Sequence, residues 1–272
     1  KRMIKASQVH KICTNRPVFD PALLESLEQQ ILSKDATYTR ENVWQFAQTR
    51  GVMTIAKDII KQLENQRLVE ADPLPESAMS YLQELWLEEN GFYDFSVREN
   101  LPQFIKGKTC EEEAISLIGQ VYGLALTKNV ERVTKDFITG ECDIQYGTVI
   151  RDCKVPETWK TFRNKSGIPS EYYWQLIAYC YLYDKTEAYL DYVLMPTPDN
   201  LIDYDCKGLT SEEIEKYLSM QQKILSLEPH HRVKTYPLIV DIQKEIDFLC
   251  LRLAKAKEYY NTLSLEICLR LC

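Results

Sequence analysis

The stretch GECDIQYGTVIRDCK, residues 140–154, decides the fold that we expect for this chain. Polar and apolar residues alternate on both sides of Gly147, which predicts a β-hairpin with its turn at that glycine. Side chains two residues apart in a strand share a face. Asp152 and Lys154 therefore share a face of the second strand, and Asp143 lies on the first strand across the turn. The hairpin is expected to bring two carboxylates and an ammonium group together.

Such a cluster suits the hydrolysis of a phosphodiester. Carboxylate oxygens bind hard divalent cations, which polarise a phosphoryl oxygen and acidify a bound water. A nearby lysine orients that water or offsets the charge that develops in the transition state. A D-x-K tripeptide arises by chance in many proteins, so this interpretation also depends on the order of the surrounding elements.

Glu111 is a further candidate for the metal side of the site. The tetrapeptide TCEE, residues 109–112, predicts a capping box that opens a helix running to about residue 125. Glu111 lies three and four residues before Ala114 and Ile115 and so shares their apolar, inward face. A carboxylate on such a face costs free energy unless it is paired or bound to a metal. The alternative, favoured for this motif taken alone, leaves Glu111 as a first-turn residue that complements the helix dipole.

The elements around the hairpin indicate a mixed α/β (α+β) fold. Over residues 105–195 their order is helix, three strands, helix and strand. Further helices are predicted on both sides, mainly over residues 14–100 and over 210–272. We interpret residues 1–272 as a single nuclease domain with its catalytic core at 105–195.

Two segments after the hairpin carry candidate nucleic-acid contacts. Lys160, Arg163 and Lys165 lie in a basic loop with interleaved aromatic residues, which suits a phosphate backbone with bases stacked nearby. A solvated loop fits the same residues equally well. Gln175 and Tyr179 are one helical turn apart and can reach a common point, although most of their neighbours are expected in the core.

Composition sets weaker limits on function. The 33 Lys and Arg residues against 40 Asp and Glu give a net charge of −7, a mild argument against nucleic-acid binding. A basic channel can nevertheless coexist with acidic outer helices. The nine cysteines form no CxxC pair and fit small core residues in a reducing compartment. Because no apolar run reaches the length of a membrane span and no signal-peptide pattern occurs, we expect a cytoplasmic protein with no membrane partner.

In its motifs the chain resembles the YqaJ-type viral recombinase nucleases, the group that contains the phage lambda exonuclease, within the PD-(D/E)XK superfamily. The opening ASQVHK, residues 6–11, is similar to that group's N-terminal serine motif, whose serine contacts the DNA phosphate. GKTCEEEA, residues 107–114, resembles its Gly-x-x-x-Glu-x-x-Ala helix start. GECD at 140–143 matches the first metal aspartate, IRDCK at 150–154 the (D/E)-x-K strand, and WQL at 174–176 the glutamine helix.

The resemblance implies a restriction-endonuclease-like core, with a central mixed sheet flanked by helices and with helical additions on both sides. It implies an Mg2+-dependent exonuclease that degrades one strand of duplex DNA from the 5′ end in phage-type recombination. It also implies a homo-oligomeric ring, with a trimer favoured, a single-strand annealing protein as partner, and a phage or prophage origin in a bacterial host cell. The chain departs from the family at Cys142, where many members have proline, and offers only Asp136 as a loose candidate for a further upstream acid.

These residues and the resemblance together give a site hypothesis. Asp143, Asp152, the Cys153 carbonyl and Glu111 bind one or two Mg2+ ions, for which Mn2+ can substitute. Lys154 and Gln175 position the attacking water. The residues assigned to the DNA are Ser7, Lys11, Lys160, Arg163, Lys165 and Tyr179.

Three other interpretations stay open on sequence alone. The first is another PD-(D/E)XK enzyme, an endonuclease or a repair nuclease. An iron–sulfur relative of that kind needs four cysteines, three of them closely spaced near the C-terminus, whereas Cys250, Cys268 and Cys272 are far apart. The second is a non-catalytic DNA-binding or scaffold protein that retains the fold. The third is a purely helical structural protein in which the hairpin is coincidental.

Overall fold

The computed structural model describes residues 3–13, 74–92 and 101–270. Most of the predicted helical segment 14–100 lies outside these ranges. The described part begins with a short strand, a 3-10 helix at Ala6–Lys11 and helix α1 at Glu76–Glu89. The other helices are α2 Pro102–Tyr122, α3 Trp159–Arg163, α4 Ser170–Tyr183, α5 Asp199–Asp205, α6 Ser211–Ser226, α7 Pro229–Arg232, α8 Ile242–Thr262 and α9 Leu265–Arg270.

A four-stranded mixed sheet forms the centre of the fold. Its strands, in spatial order, are β4 Ile144–Tyr146, β5 Val149–Lys154, β6 Glu187–Val193 and β7 Val233–Pro237. The β4–β5 and β6–β7 pairs are antiparallel, and β5–β6 is parallel with α4 as the connection. The predicted hairpin and the predicted mixed sheet are therefore confirmed, which excludes the purely helical alternative.

A second, three-stranded sheet lies beside the first, in the order β1-β3-β2. It contains β1 at Ile4–Lys5, β2 at Val133–Lys135 and β3 at Ile138–Gly140. The order predicted for residues 105–195 has three strands before the second helix, whereas the structure has four, β2 to β5, so that part of the prediction is wrong. The chain reverses at Asp136, which has φ of +52°, a left-handed conformation that aspartate tolerates better than most residues.

Helix α2 begins seven residues before the predicted capping box. Pro102 occupies its first turn, where a missing backbone N–H has no cost. The motif at residues 109–112 therefore lies inside the helix, and the predicted helix start is wrong. Glu111 is remote from the positive end of the helix dipole, so the dipole interpretation of this residue no longer applies. A capping box is present instead at the start of α6, between Thr210 and Glu213.

Two apolar clusters hold the site in place. The larger surrounds α4, which is buried from Trp174 through Leu182 and packs against the 3-10 helix at residues 6–11. Gly140 permits this approach, because a Cβ there would lie 2.8 Å from the Ala6 Cβ. The smaller cluster joins α2 to the four-stranded sheet, with Ala114 and Ile118 of the helix packed near Cys153. This packing sets Glu111 beside the ends of β4 and β5.

Candidate active site

One cavity of about 700 Å³ collects most of the residues predicted from sequence. It lies where α2, the 3-10 helix, α4 and the β4–β5 hairpin meet. The predicted residues that line it are Ser7, Glu111, Asp143, Cys153, Lys154, Lys165 and Gln175. Residues separated by more than 160 positions in the chain therefore share one cleft.

Asp143 directly precedes β4, so the first predicted strand is shorter than the pattern indicated. Its carboxylate oxygen Oδ2 accepts a hydrogen bond from the backbone N–H of Cys153, at 2.6 Å. Its own carbonyl oxygen accepts one from the N–H of Asn129, at 2.7 Å. Burial, followed by repulsion from Asp152, raises the pKa of the Asp143 carboxyl to about 8. A cation bound nearby would lower this raised pKa, because it favours the ionised carboxylate.

Asp152 and Lys154 form the most deeply placed pair of the site. Lys154 Nζ lies 2.6 Å from Asp152 Oδ2, and the Asp152 side chain is only 1% exposed. Asp152 does not itself line the cavity, which it meets through Lys154. Burial raises the pKa of the Asp152 carboxyl, although the lysine opposes the shift. Burial lowers the pKa of Lys154, but Asp152 and Asp143 outweigh it and raise that pKa above its ordinary value, so Lys154 stays protonated.

Glu111 faces the cavity from α2, while its neighbours Glu112 and Glu113 are exposed. The predicted inward orientation of Glu111 is therefore observed. Its Oε2 atom lies 2.6 Å from Nζ of Lys128, a residue to which the sequence analysis gave no role. Lys128 lies in the segment between α2 and β2, where no periodic pattern could have indicated the contact.

Gln175 and Tyr179 meet as their helical spacing predicted. The Nε2 group of Gln175 donates a hydrogen bond to the Tyr179 hydroxyl, at 2.9 Å. Gln175 lines the cavity, whereas Tyr179 lies behind it in the core. The ring of Tyr172 on the same helix lies 5.1 Å from Lys154 Nζ, in cation–π geometry that the sequence analysis did not anticipate.

The other residues assigned to DNA divide into two groups. Ser7 and Lys165 line the cavity, and Lys165 also borders a small surface depression together with Lys160. Lys11 instead lies over the ring of Tyr81 on α1, 4.5 Å from its centroid. Arg163, at the end of α3, is exposed and is outside both sets of lining residues. The structure thus brings Ser7 and Lys165 to the cavity and leaves Lys11, Lys160 and Arg163 outside it.

Asp136 does not join the site as an upstream acid. It lies in the β2–β3 turn, where its Oδ2 atom accepts a hydrogen bond from the Tyr181 hydroxyl.

The sequence analysis missed a buried ion pair between Arg151 and Asp191, whose role is structural. Arg151 donates two hydrogen bonds of 2.8 Å to the Asp191 carboxylate across β5 and β6.

The donor set fits a divalent cation that completes its shell with other ligands. Among the described residues, the Asp152 Oδ1 atom is buried and has no hydrogen-bond partner, which is a costly state for a carboxylate oxygen. Asp143 and Glu111 supply further carboxylate oxygens at the cavity wall. No group of three or more His, Cys, Asp or Glu side chains in the described ranges is placed to hold a metal ion. A cation here would therefore also need the Cys153 carbonyl, water or substrate oxygens.

Comparison with known proteins supports the fold. A phage-related exonuclease from Haemophilus somnus 129PT matches with a TM-score of 0.63 and 24% identity, over 97% of this chain and 96% of that one. An alkaline exonuclease from Laribacter hongkongensis matches with a TM-score of 0.44 and 16% identity, over 76% of this chain and 92% of that one. The same enzyme with dAMP gives a TM-score of 0.46 and 13% identity, over 99% and 95%. No family model and no curated protein matches the sequence.

The chain thus has the fold of the phage-related exonuclease, and the mixed α/β fold with a central mixed sheet that the sequence predicted is confirmed. The cavity between α2, the 3-10 helix, α4 and the hairpin is lined by Lys154, with its partner Asp152 behind it. Within the described ranges, no helix has both the length and the apolar character needed to cross a membrane.

Proposed function

We propose that this protein is a metal-dependent DNA exonuclease that hydrolyses phosphodiester bonds at the ends of duplex DNA. One observation carries the proposal: Glu111, Asp143 and Lys154 line a single cavity, with Asp152 paired to Lys154 behind it. These are the groups that phosphodiester hydrolysis requires, and they lie on a fold shared with a phage-related exonuclease. The preference for Mg2+, with Mn2+ as a substitute, and the 5′ to 3′ direction belong to the same proposal.

The carboxylates would hold the cation. Asp143, Asp152, the Cys153 carbonyl and Glu111 are the candidate ligands. When bound, a divalent cation supplies Lewis-acid stabilisation of the phosphoryl group and a lowered pKa for water. The hydrogen bond from the Cys153 N–H to Asp143 fixes one carboxylate before any ligand arrives, so little reorganisation is needed.

Lys154 would act as a cation and not as a general base. Since Asp152 and Asp143 raise its pKa, Lys154 is already protonated at neutral pH and cannot accept a proton. Its ammonium group can donate hydrogen bonds to a phosphoryl oxygen or to the attacking water. Gln175 uses its Nε2 group on Tyr179, which leaves its carbonyl oxygen to accept a hydrogen bond and orient a water. Ser7 and Lys165, at the cavity wall, would contact the phosphate backbone.

The test compares a linear duplex, phosphorylated at one 5′ end, with a closed circle of the same sequence, in Mg2+ and in EDTA. We expect Mg2+-dependent loss of the linear DNA alone. The Lys154→Ala variant should lose cleavage by at least about 100-fold and keep most of its DNA binding. Lys216→Ala, which removes an exposed lysine paired with Glu212 on α6, is the control and should cleave normally.

Other outcomes would redirect the proposal. Cleavage of the circle as well would indicate an endonuclease at the same site. No cleavage with either Mg2+ or Mn2+, together with retained DNA binding, would favour a non-catalytic binding protein. Normal cleavage by Lys154→Ala would contradict the role given to the lysine. The homo-oligomeric ring and the annealing partner stay predictions from the family resemblance.

A further inference from the structure

Lys128 holds one of the candidate metal ligands in an ion pair. Its Nζ atom lies 2.6 Å from Glu111 Oε2, and the two side chains are 32% and 20% exposed. Glu111 is the only one of the proposed ligands on a helix, and Lys128 follows that helix closely in sequence.

The segment that carries Lys128 is anchored to the hairpin. The backbone N–H of the next residue, Asn129, donates to the Asp143 carbonyl at 2.7 Å, and its side chain donates to the Cys142 carbonyl at 3.0 Å. These hydrogen bonds from Asn129 to the backbone of residues 142 and 143 hold the segment that carries Lys128 beside the hairpin. Lys128 itself does not line the cavity, and it meets the site through Glu111, which does.

The charges of the site show what this lysine does. Glu111, Asp143 and Asp152 would contribute three negative charges when ionised, and Lys154 neutralises one of them through its pair with Asp152. Lys128 neutralises a second, at Glu111. A divalent cation that uses Glu111 must displace this ammonium or accept its repulsion, and either costs binding free energy.

We propose that Lys128 sets the metal affinity of the site, by holding Glu111 in an ion pair that an incoming divalent cation must open. The inference rests on the proposed function. It adds that Lys128 competes with the metal for Glu111, so an incoming cation must displace the ammonium group before Glu111 can bind it. Lys128 is a positioning residue in this scheme, since it acts through Glu111.

The test is a titration of the purified protein with Mn2+, followed by electron paramagnetic resonance of the unbound ion, and with Mg2+ by calorimetry. Lys128→Met should bind Mn2+ roughly tenfold tighter than the wild type, because the cation no longer has to open the Lys128–Glu111 ion pair before Glu111 can bind it. Lys128→Arg keeps the charge and should bind as the wild type does. Lys216→Met, which breaks the 2.6 Å ion pair with Glu212 on the exposed face of α6, should leave the affinity unchanged.

The same substitution made in a Glu111→Gln variant shows whether Lys128 changes the metal affinity through Glu111. In Glu111→Gln, which has no carboxylate for Lys128 to hold, adding Lys128→Met should tighten Mn2+ binding by much less than tenfold. Equal tightening in both backgrounds would overturn the proposal, as would unchanged affinity in Lys128→Met that unfolds at the wild-type temperature. If the wild type binds neither ion, the proposed metal-dependent function fails and the inference fails with it. Wild-type binding with no effect of Lys128→Met would overturn the inference alone.

Discussion

Replacing Asp143 with asparagine should make the metal-free protein more stable, and increasingly so as the pH rises. The pKa of this carboxyl is raised to about 8 in the folded protein, by burial and by Asp152, whereas an unfolded aspartate titrates near about 3.9. A carboxyl with a raised folded pKa contributes its full stability below the unfolded value. That contribution is lost between pH 3.9 and about 8, as the unfolded chain ionises and the folded one resists. Asparagine does not titrate and avoids the loss.

The magnitude follows from the linkage between protons and folding. One proton bound by the folded state and not by the unfolded state is worth at most about 1.4 kcal/mol per pH unit. From pH 5 to pH 7 the free energy of unfolding of Asp143→Asn should therefore rise by up to about 2.7 kcal/mol relative to the wild type. Water in the cavity screens the carboxyl and reduces this value. Asparagine Oδ1 can still accept the hydrogen bond from the Cys153 N–H, so the packing is retained.

The assay is urea denaturation of both proteins in EDTA at pH 5, 6, 7 and 8. The slope of the stability difference against pH matters more than its offset, because other titrating groups are common to both proteins. Adding Mg2+ at pH 8 should stabilise the wild type and leave Asp143→Asn unchanged. A stability difference that stays flat or falls from pH 5 to pH 8 would refute the reasoning.

Two further substitutions test how the fold holds the site. Asp191→Ala leaves the Arg151 guanidinium buried without its carboxylate, and should lower the free energy of unfolding by about 3–5 kcal/mol in urea denaturation; a loss below about 1 kcal/mol would contradict the role of this pair. Gly140→Ala places a Cβ 2.8 Å from the Ala6 Cβ and 2.9 Å from a Leu182 methyl group, and should cost about 1–3 kcal/mol in the same assay. The control is Gly107→Ala, where a Cβ meets nothing within 4 Å, so this helical position should be neutral or gain up to about 1 kcal/mol; equal losses at both glycines would contradict the packing argument.

The central hairpin could be predicted because its signal is local. The alternation of polar and apolar residues and the turn glycine at 147 predicted the pairing of the two strands and the shared face of Asp152 and Lys154. The inward orientation of Glu111 was also predicted correctly, although the start of its helix was not. The apolar stripe after Glu111 depends on helical periodicity alone and is unaffected by where the helix begins. The motif at 109–112 misled because a capping box has the same composition as an ordinary helical surface.

Lys128 and the Arg151–Asp191 pair could not be predicted, because each requires a register between distant segments. Arg151 lies opposite Tyr189 in the β5–β6 pair, so Asp191 is its diagonal neighbour. That relation exists only once the parallel register is known. Lys128 reaches Glu111 from a segment without periodicity, fixed by hydrogen bonds of Asn129 to the hairpin backbone. Long-range contacts of this kind follow from tertiary packing and leave no trace in local pattern.

The charge of the cavity gives a physical reason to expect that, in the proposed function, a cation supports DNA binding as well as chemistry. Its lining carries four carboxylate residues, Glu111, Asp143, Glu157 and Glu171, against three lysines, Lys108, Lys154 and Lys165. The lining therefore has no excess of positive charge, in keeping with the net charge of −7 for the whole chain. A phosphodiester entering such a cleft would be repelled by the carboxylates, which a divalent cation would neutralise. Within the proposed function, the acidic composition thus argues for metal dependence and not against a nucleic-acid substrate.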